Sequence, residues 1–110
     1  MYRPTLKKCF EGELPEELAH AQFLADKITA LVGTPTTEPT ALTLATEPTA
    51  MLHQVLKAES ETIDRYVERR RQAEEAGEYG LATDLDDIIR DETGHKEETE
   101  KLLRDIAETV

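Results

Sequence analysis

The sequence predicts an all-α protein, a helical bundle, and three observations carry that expectation. Apolar residues recur at three- and four-residue steps through three long stretches, the spacing that lines one face of a helix. Charged residues make up 34% of the chain and aromatics only 5%, with no tryptophan, which suits solvated helices around an aliphatic core better than a sheet. Gly33 with Thr34-Pro35, and later Ala76-Gly77-Glu78, fall between those stretches, where helices must stop. The 110 residues are enough for a single domain with a modest core, taken as 1–110.

The first helix is expected over residues 4–32, with Leu14, Glu17, Leu18, Ala21, Leu24, Ile28 and Leu31 forming one stripe. Pro15 falls inside it. Proline donates no N–H and its ring presses on the carbonyl four residues back, so a kink or a fresh start is expected there. Residues 33–47 read as an extended linker rich in threonine and proline, in which Thr-Glu-Pro-Thr-Ala occurs twice, nine residues apart. About 15 residues in polyproline form reach about 45 Å. That is enough to run back along the first helix, about 40 Å long at its usual rise, and start the second beside it in the same direction.

The second helix is expected over 48–75, opening on Pro48, at a first-turn position proline tolerates. Met51, Leu52, Val55, Leu56, Ile63, Tyr66 and Val67 form its stripe, with Glu59 among them. The charged run from Glu68 to Glu75 reads as a solvated end. After the short turn the third helix, 79–107, must return antiparallel. Leu85, Ile88, Ile89, Leu102, Leu103 and Ile106 mark its buried face, and Glu92, His95 and Thr99 fill the gap between Ile89 and Leu102. Gly94 beside them costs roughly 1 kcal/mol relative to alanine, and a close approach by a neighbour would account for it.

Glu17, Glu59 and Glu92 are carboxylates set among apolar residues at helical spacing. An unpaired buried charge costs several kcal/mol, so a source of positive charge is expected near them. Glu17 and Glu92 each have a histidine three residues on, His20 and His95, on the same helical face about a turn away. One such pair in an acidic chain reads as chance on a solvated face. Two, both in register with a core and joined by a third inward glutamate, point to metal. Carboxylate and imidazole without thiolate suit iron or manganese, with zinc as a common substitute. Tyr66 and Asp91 are candidates to hold the imidazoles in place. His53 has no carboxylate at the matching step and reads as a surface or boundary residue.

The formal net charge of −11 repels phosphate backbones and anionic lipid, so neither nucleic acid nor a membrane is expected as a partner. Cys9 is the sole cysteine, which excludes an intrachain disulfide and a cysteine cluster for zinc or iron. No apolar run approaches a membrane span and the N-terminus has no signal-peptide core, so a reducing cytoplasm is the expected location.

These residues resemble a known family. Glu16-Glu17-Leu18-Ala19-His20-Ala21, then Leu24-Ala25-Asp26-Lys27-Ile28 and Gly33-Thr34-Pro35, resemble the second helix of bacterioferritins and related bacterial ferritin-like di-iron proteins. Leu56-Lys57-Ala58-Glu59 resembles their third helix, and Ile88-Ile89-Arg90-Asp91-Glu92-Thr93-Gly94-His95 their fourth. The resemblance implies a ferritin-like bundle with a long crossover, two iron ions, and oxidation of Fe(II) by oxygen or peroxide for storage or detoxification. It implies that Glu17 and Glu92 bridge the ions, that Glu59 is a terminal ligand, and that His20 and His95 give one nitrogen to each ion. Leu18 stands where haem-binding members carry a methionine, so haem is not expected. The family's first helix, with its own glutamate, has no counterpart here. A second copy of the chain is the preferred source of the missing helix, making a homodimer or larger oligomer. An N-terminal segment folded back to offer Glu11 or Glu13, or a longer natural chain, are the alternatives. A helical module whose metal only holds an oligomer together is the competing function.

Overall fold

The computed structural model describes residues 3–31, 33–36, 43 and 45–109. The linker reading for residues 37–42 and 44 lies outside them. Three helices form, α1 (Arg3–Ala30), α2 (Pro48–Glu75) and α3 (Tyr79–Thr109), and there is no strand among the described residues. The chain divides into two compact units, Met1–Thr43 and Leu44–Val110.

The first unit is built on α1, which continues through Pro15 instead of restarting there. The proline removes the hydrogen bond to the Glu11 carbonyl, but Glu11, Gly12 and Pro15 are all exposed, so water can take the donor's place. Glu11 and Glu13 lie within this continuous helix, not on a separate segment that folds back. At the far end Leu31 N–H donates to the Lys27 carbonyl at 3.0 Å and Gly33 N–H to the Ile28 carbonyl at 2.8 Å. A Cβ on residue 33 would lie 2.9 Å from Ile28 Cγ2 and 3.2 Å from the Ile28 oxygen, so this close return admits only glycine without a shift. The apolar stripe differs from expectation. Leu14, Leu18, Ile28 and Leu31 are exposed, Leu18 at 64%, because periodicity specifies a face without specifying what covers it.

The second unit is an antiparallel hairpin of α2 and α3. Glu47 caps α2: its carboxylate accepts from Thr49 N–H at 3.1 Å and Ala50 N–H at 2.7 Å, ahead of Pro48 in the first turn. Gln54 reaches back one turn further and accepts from Ala45 N–H at 2.8 Å. At the other end Gly77, at φ +78°, closes the helix. Its N–H donates to the Glu74 carbonyl at 3.1 Å while Glu78 N–H donates to that of Ala73 at 2.8 Å, two nested bonds that satisfy late carbonyls of the helix and turn the chain. Small buried residues, Ala73 and Ala82, stand on either side of that turn.

Away from the turn the core of this unit includes Leu52, Leu85, Ile88, Leu102 and Ile106. On α3, Leu85, Ile88, Glu92, His95, Thr99, Leu102 and Ile106 are all buried and follow one another at steps of three and four. The polar residues therefore occupy the same seam as the aliphatic ones. Val67, expected in the α2 stripe, is instead exposed. Gly94 also departs from expectation: nothing lies within 4 Å of where its Cβ would sit, so no close neighbour requires it.

The charged run is more organised than a solvated end. Arg71 joins Glu68 at 2.6 Å and Glu75 at 2.7 Å along its own helix, whereas Arg70 spans the hairpin. Its Nε lies 2.6 Å from Asp86 Oδ1 and its Nη1 2.7 Å from Glu74 Oε2. Asp86, then Glu74, hold the Arg70 guanidinium above its ordinary pKa. The signal was available in the sequence, since residues 70 and 86 are equidistant from the turn at Glu78.

Candidate metal centre

The α2–α3 hairpin brings together three of the residues the sequence singles out. Glu59 on α2 is buried and a carboxylate oxygen lies within 4.8 Å of a His95 ring nitrogen. Glu92 and His95 are one turn apart on α3, with Glu92 Oε2 3.7 Å from His95 Nδ1. His95 is thus within reach of a carboxylate from each helix. Folding does this through register: the turn at Gly77 fixes which residues of α2 and α3 meet, and the three-residue step puts Glu92 and His95 on the inward face. Thr99, one turn on and 1% exposed, donates its hydroxyl to the His95 carbonyl at 3.1 Å. That bond gives a fully buried polar side chain a partner and ties it to the backbone that carries the imidazole.

The first unit holds the other Glu-x-x-His. Glu17 Oε2 lies 4.0 Å from His20 Nδ1, nearly the separation found in the twin. The environments differ. Both histidines are buried, but the Glu17 side chain is 44% exposed against 4% for Glu92. The expectation that all three carboxylates are inward therefore holds for Glu59 and Glu92 and not for Glu17. Glu13, half-buried on the same helix, precedes Glu17 by four residues and shares its face. Of the remaining candidates, His53 and Asp91 are exposed and Tyr66 is half-buried.

The chemistry of the hairpin's donors fits a divalent cation. Two carboxylates in a dry seam next to one imidazole supply hard oxygen and borderline nitrogen ligands, with no sulfur. A doubly charged ion would offset the two negative charges that burial makes costly.

The ferritin-like domain family matches residues 1–109. The chain belongs to that family. A solved structure of a ferritin-like, diiron-carboxylate protein from Bacillus anthracis str. Ames shares 44% sequence identity with this ferritin-like chain, at a TM-score of 0.90. That likeness covers 94% of this chain and 74% of the other. No curated protein matches. Among the described residues, no helix is long and apolar enough to cross a membrane.

Proposed function

We propose that this ferritin-like protein binds a pair of iron ions through Glu17, His20, Glu59, Glu92 and His95 and oxidises Fe(II) with oxygen or peroxide, for storage or detoxification in the cytoplasm. The observation that carries the reading is the burial of Glu59, Glu92 and His95 in the seam of one hairpin, where apolar residues would otherwise stand. The diiron-carboxylate nature of the relative from Bacillus anthracis supports iron over manganese or zinc. Bound Fe(II) is the substrate, and each of two ions gives up one electron to the oxidant. This chain's side chains hold the ions close together, leave positions for the oxidant and keep the rest of the seam dry. Nothing in the donor set calls for haem.

The test uses protein purified without added metal, loaded anaerobically with Fe(II) and then aerated. Oxidation much faster than in chains carrying Glu92→Ala or His95→Ala is the expected result. Equal rates in all three would remove the proposal.

A second reading has its own support in the exposed leucines of α1. A second copy of the chain covers that face, and the metal serves to hold the oligomer together. Its signature is association that depends on metal, seen in the solution mass with and without chelator, with no iron turnover.

A further inference from the structure

We propose that two copies of this chain pack their first helices antiparallel, leucine against alanine, along a stripe on α1 that runs from Leu14 to Ile28. The proposal rests on the second reading above only for the idea that another copy covers α1, and it needs no metal.

The stripe is Leu14, Leu18, Ala21, Ala25 and Ile28. Steps of four, three, four and three keep these residues in one line along a helix, the spacing with which two helices interlock. Leu14, Leu18, Ala21 and Ile28 are exposed and Ala25 is half-buried. The line contains no charged residue between Leu14 and Ile28, in a chain with a net charge of −11. His20 is buried and precedes Ala21 by one residue, about 100° round the helix. The apolar stripe and the proposed ligand therefore occupy different sides of α1.

The order of residue sizes selects the occupant. The large side chains, Leu14 and Leu18, come first and the small ones, Ala21 and Ala25, follow. A parallel copy would set leucine against leucine and leave a gap between the alanines. A reversed copy sets Leu14 against the partner's Ala25 and Leu18 against the partner's Ala21, so that large and small interdigitate. Both copies then make the same contacts, and the pair closes on itself about a two-fold axis.

Charge favours the same direction. Lys7 and Lys8 are exposed near the start of α1, and Lys7 stands seven residues before Leu14, in line with the stripe. Reversal carries them to the end of the partner's α1, where unsatisfied carbonyls leave partial negative charge. A parallel pair would instead bring the lysines of both copies together. One helix face offers about ten residues a side, under half of a standard interface, which places the pair in the weak class. A dissociation constant on the order of 100 µM is expected, so in dilute solution the stripe is uncovered.

Sedimentation equilibrium follows the mass of the full-length chain from about tenfold below to about tenfold above that constant, once in chelator and once with Co(II). The native mass should rise from one copy to two, equally in both. Leu18→Lys, Leu14→Lys and Ala25→Glu should each abolish the rise, with far-UV circular dichroism confirming that the variants stay helical. Leu14→Lys and Ala25→Glu combined in one chain should restore it to within about tenfold of native affinity, because the new opposite charges face each other between copies. Within one helix those positions are eleven residues apart, about 16 Å, too far to pair. Association seen only with Co(II), or a combined variant no better than its parents, would overturn this packing and leave the second reading standing. A mass of one copy throughout, with and without Co(II), would overturn both.

Discussion

The two Glu-x-x-His segments are a controlled comparison within one chain. Each puts a carboxylate about 4 Å from an imidazole nitrogen one turn on, 4.0 Å in α1 and 3.7 Å in α3. Each lies in a helix of comparable length. Only the α3 copy has its carboxylate in a sealed seam, flanked by Ile88, Thr99 and Leu102, all buried. The α1 copy sits beside leucines that remain exposed. Spacing thus sets the local geometry of the pair, whereas its electrostatic strength depends on what surrounds it. A charge pair that is weak in water grows severalfold in effective strength as the surrounding dielectric falls.

The largest expected effect tests that contrast through the core. Leu85→Ala should cost about 2–5 kcal/mol, since a fully buried leucine leaves a cavity. Leu18→Ala should stay within about 0.5 kcal/mol, the usual range for an exposed position. Urea unfolding followed by circular dichroism separates them. A loss at Leu18 that approaches the loss at Leu85, and that grows with protein concentration, would mean a second copy covers the α1 stripe in solution.

Metal removal comes next. If the hairpin seam holds an ion, adding metal at a hundredfold over its dissociation constant should raise the unfolding free energy by about 2.7 kcal/mol. A chelator should return it to the starting value. Glu92→Gln should abolish the increment while keeping the side chain's shape. An unchanged increment in that variant would place the ion elsewhere.

Much of this was legible from residues alone. Glu59, Glu92 and His95 stood out because they interrupt aliphatic stripes at helical steps, and a heptad-like seam leaves such residues nowhere else to go. The turn at Gly77 was legible because only glycine relieves the strain of a left-handed helix end. The exposure of Leu14, Leu18, Ile28 and Leu31 was not, since a stripe of leucines reads the same whether or not a partner covers it. At Pro15 the sequence left a kink and a fresh start both open, and one helix runs through, in an exposed stretch where solvent can replace the lost hydrogen bond. The Arg70–Asp86 tie was there to be read, because the turn was legible and residues 70 and 86 are equidistant from it.

The glycines give a smaller and opposite pair of effects. Gly77→Ala forces a side chain onto φ +78° and should cost roughly 1–2 kcal/mol. Gly94→Ala meets nothing within 4 Å and should gain roughly 1 kcal/mol from helix propensity. Thermal unfolding reads both. A loss at residue 94 would show that another molecule approaches the helix there, and would restore the close-approach reading of that glycine.

The smallest effect concerns the cap that begins the hairpin. Bonds from Ala50 N–H and then Thr49 N–H hold the Glu47 carboxyl below its ordinary value of 4.5. A depressed pKa means the cap's contribution is present above the ordinary carboxylate range and is lost as pH falls through the lower folded value. The group is fully exposed, so salt screens the effect and the change in overall stability should be slight. It is better read locally: a carboxyl titration by NMR should give a midpoint below that of glutamate in an unstructured peptide. Amide exchange at Thr49 and Ala50 should quicken across the same pH window, and the Leu31 and Gly33 amides of the first unit should not follow. Glu47→Gln keeps one acceptor but removes the charge, so the pH dependence at those two amides should vanish. A midpoint at the ordinary value would mean that α2 starts without this cap in solution, and that the hairpin's register is set by the Gly77 turn alone.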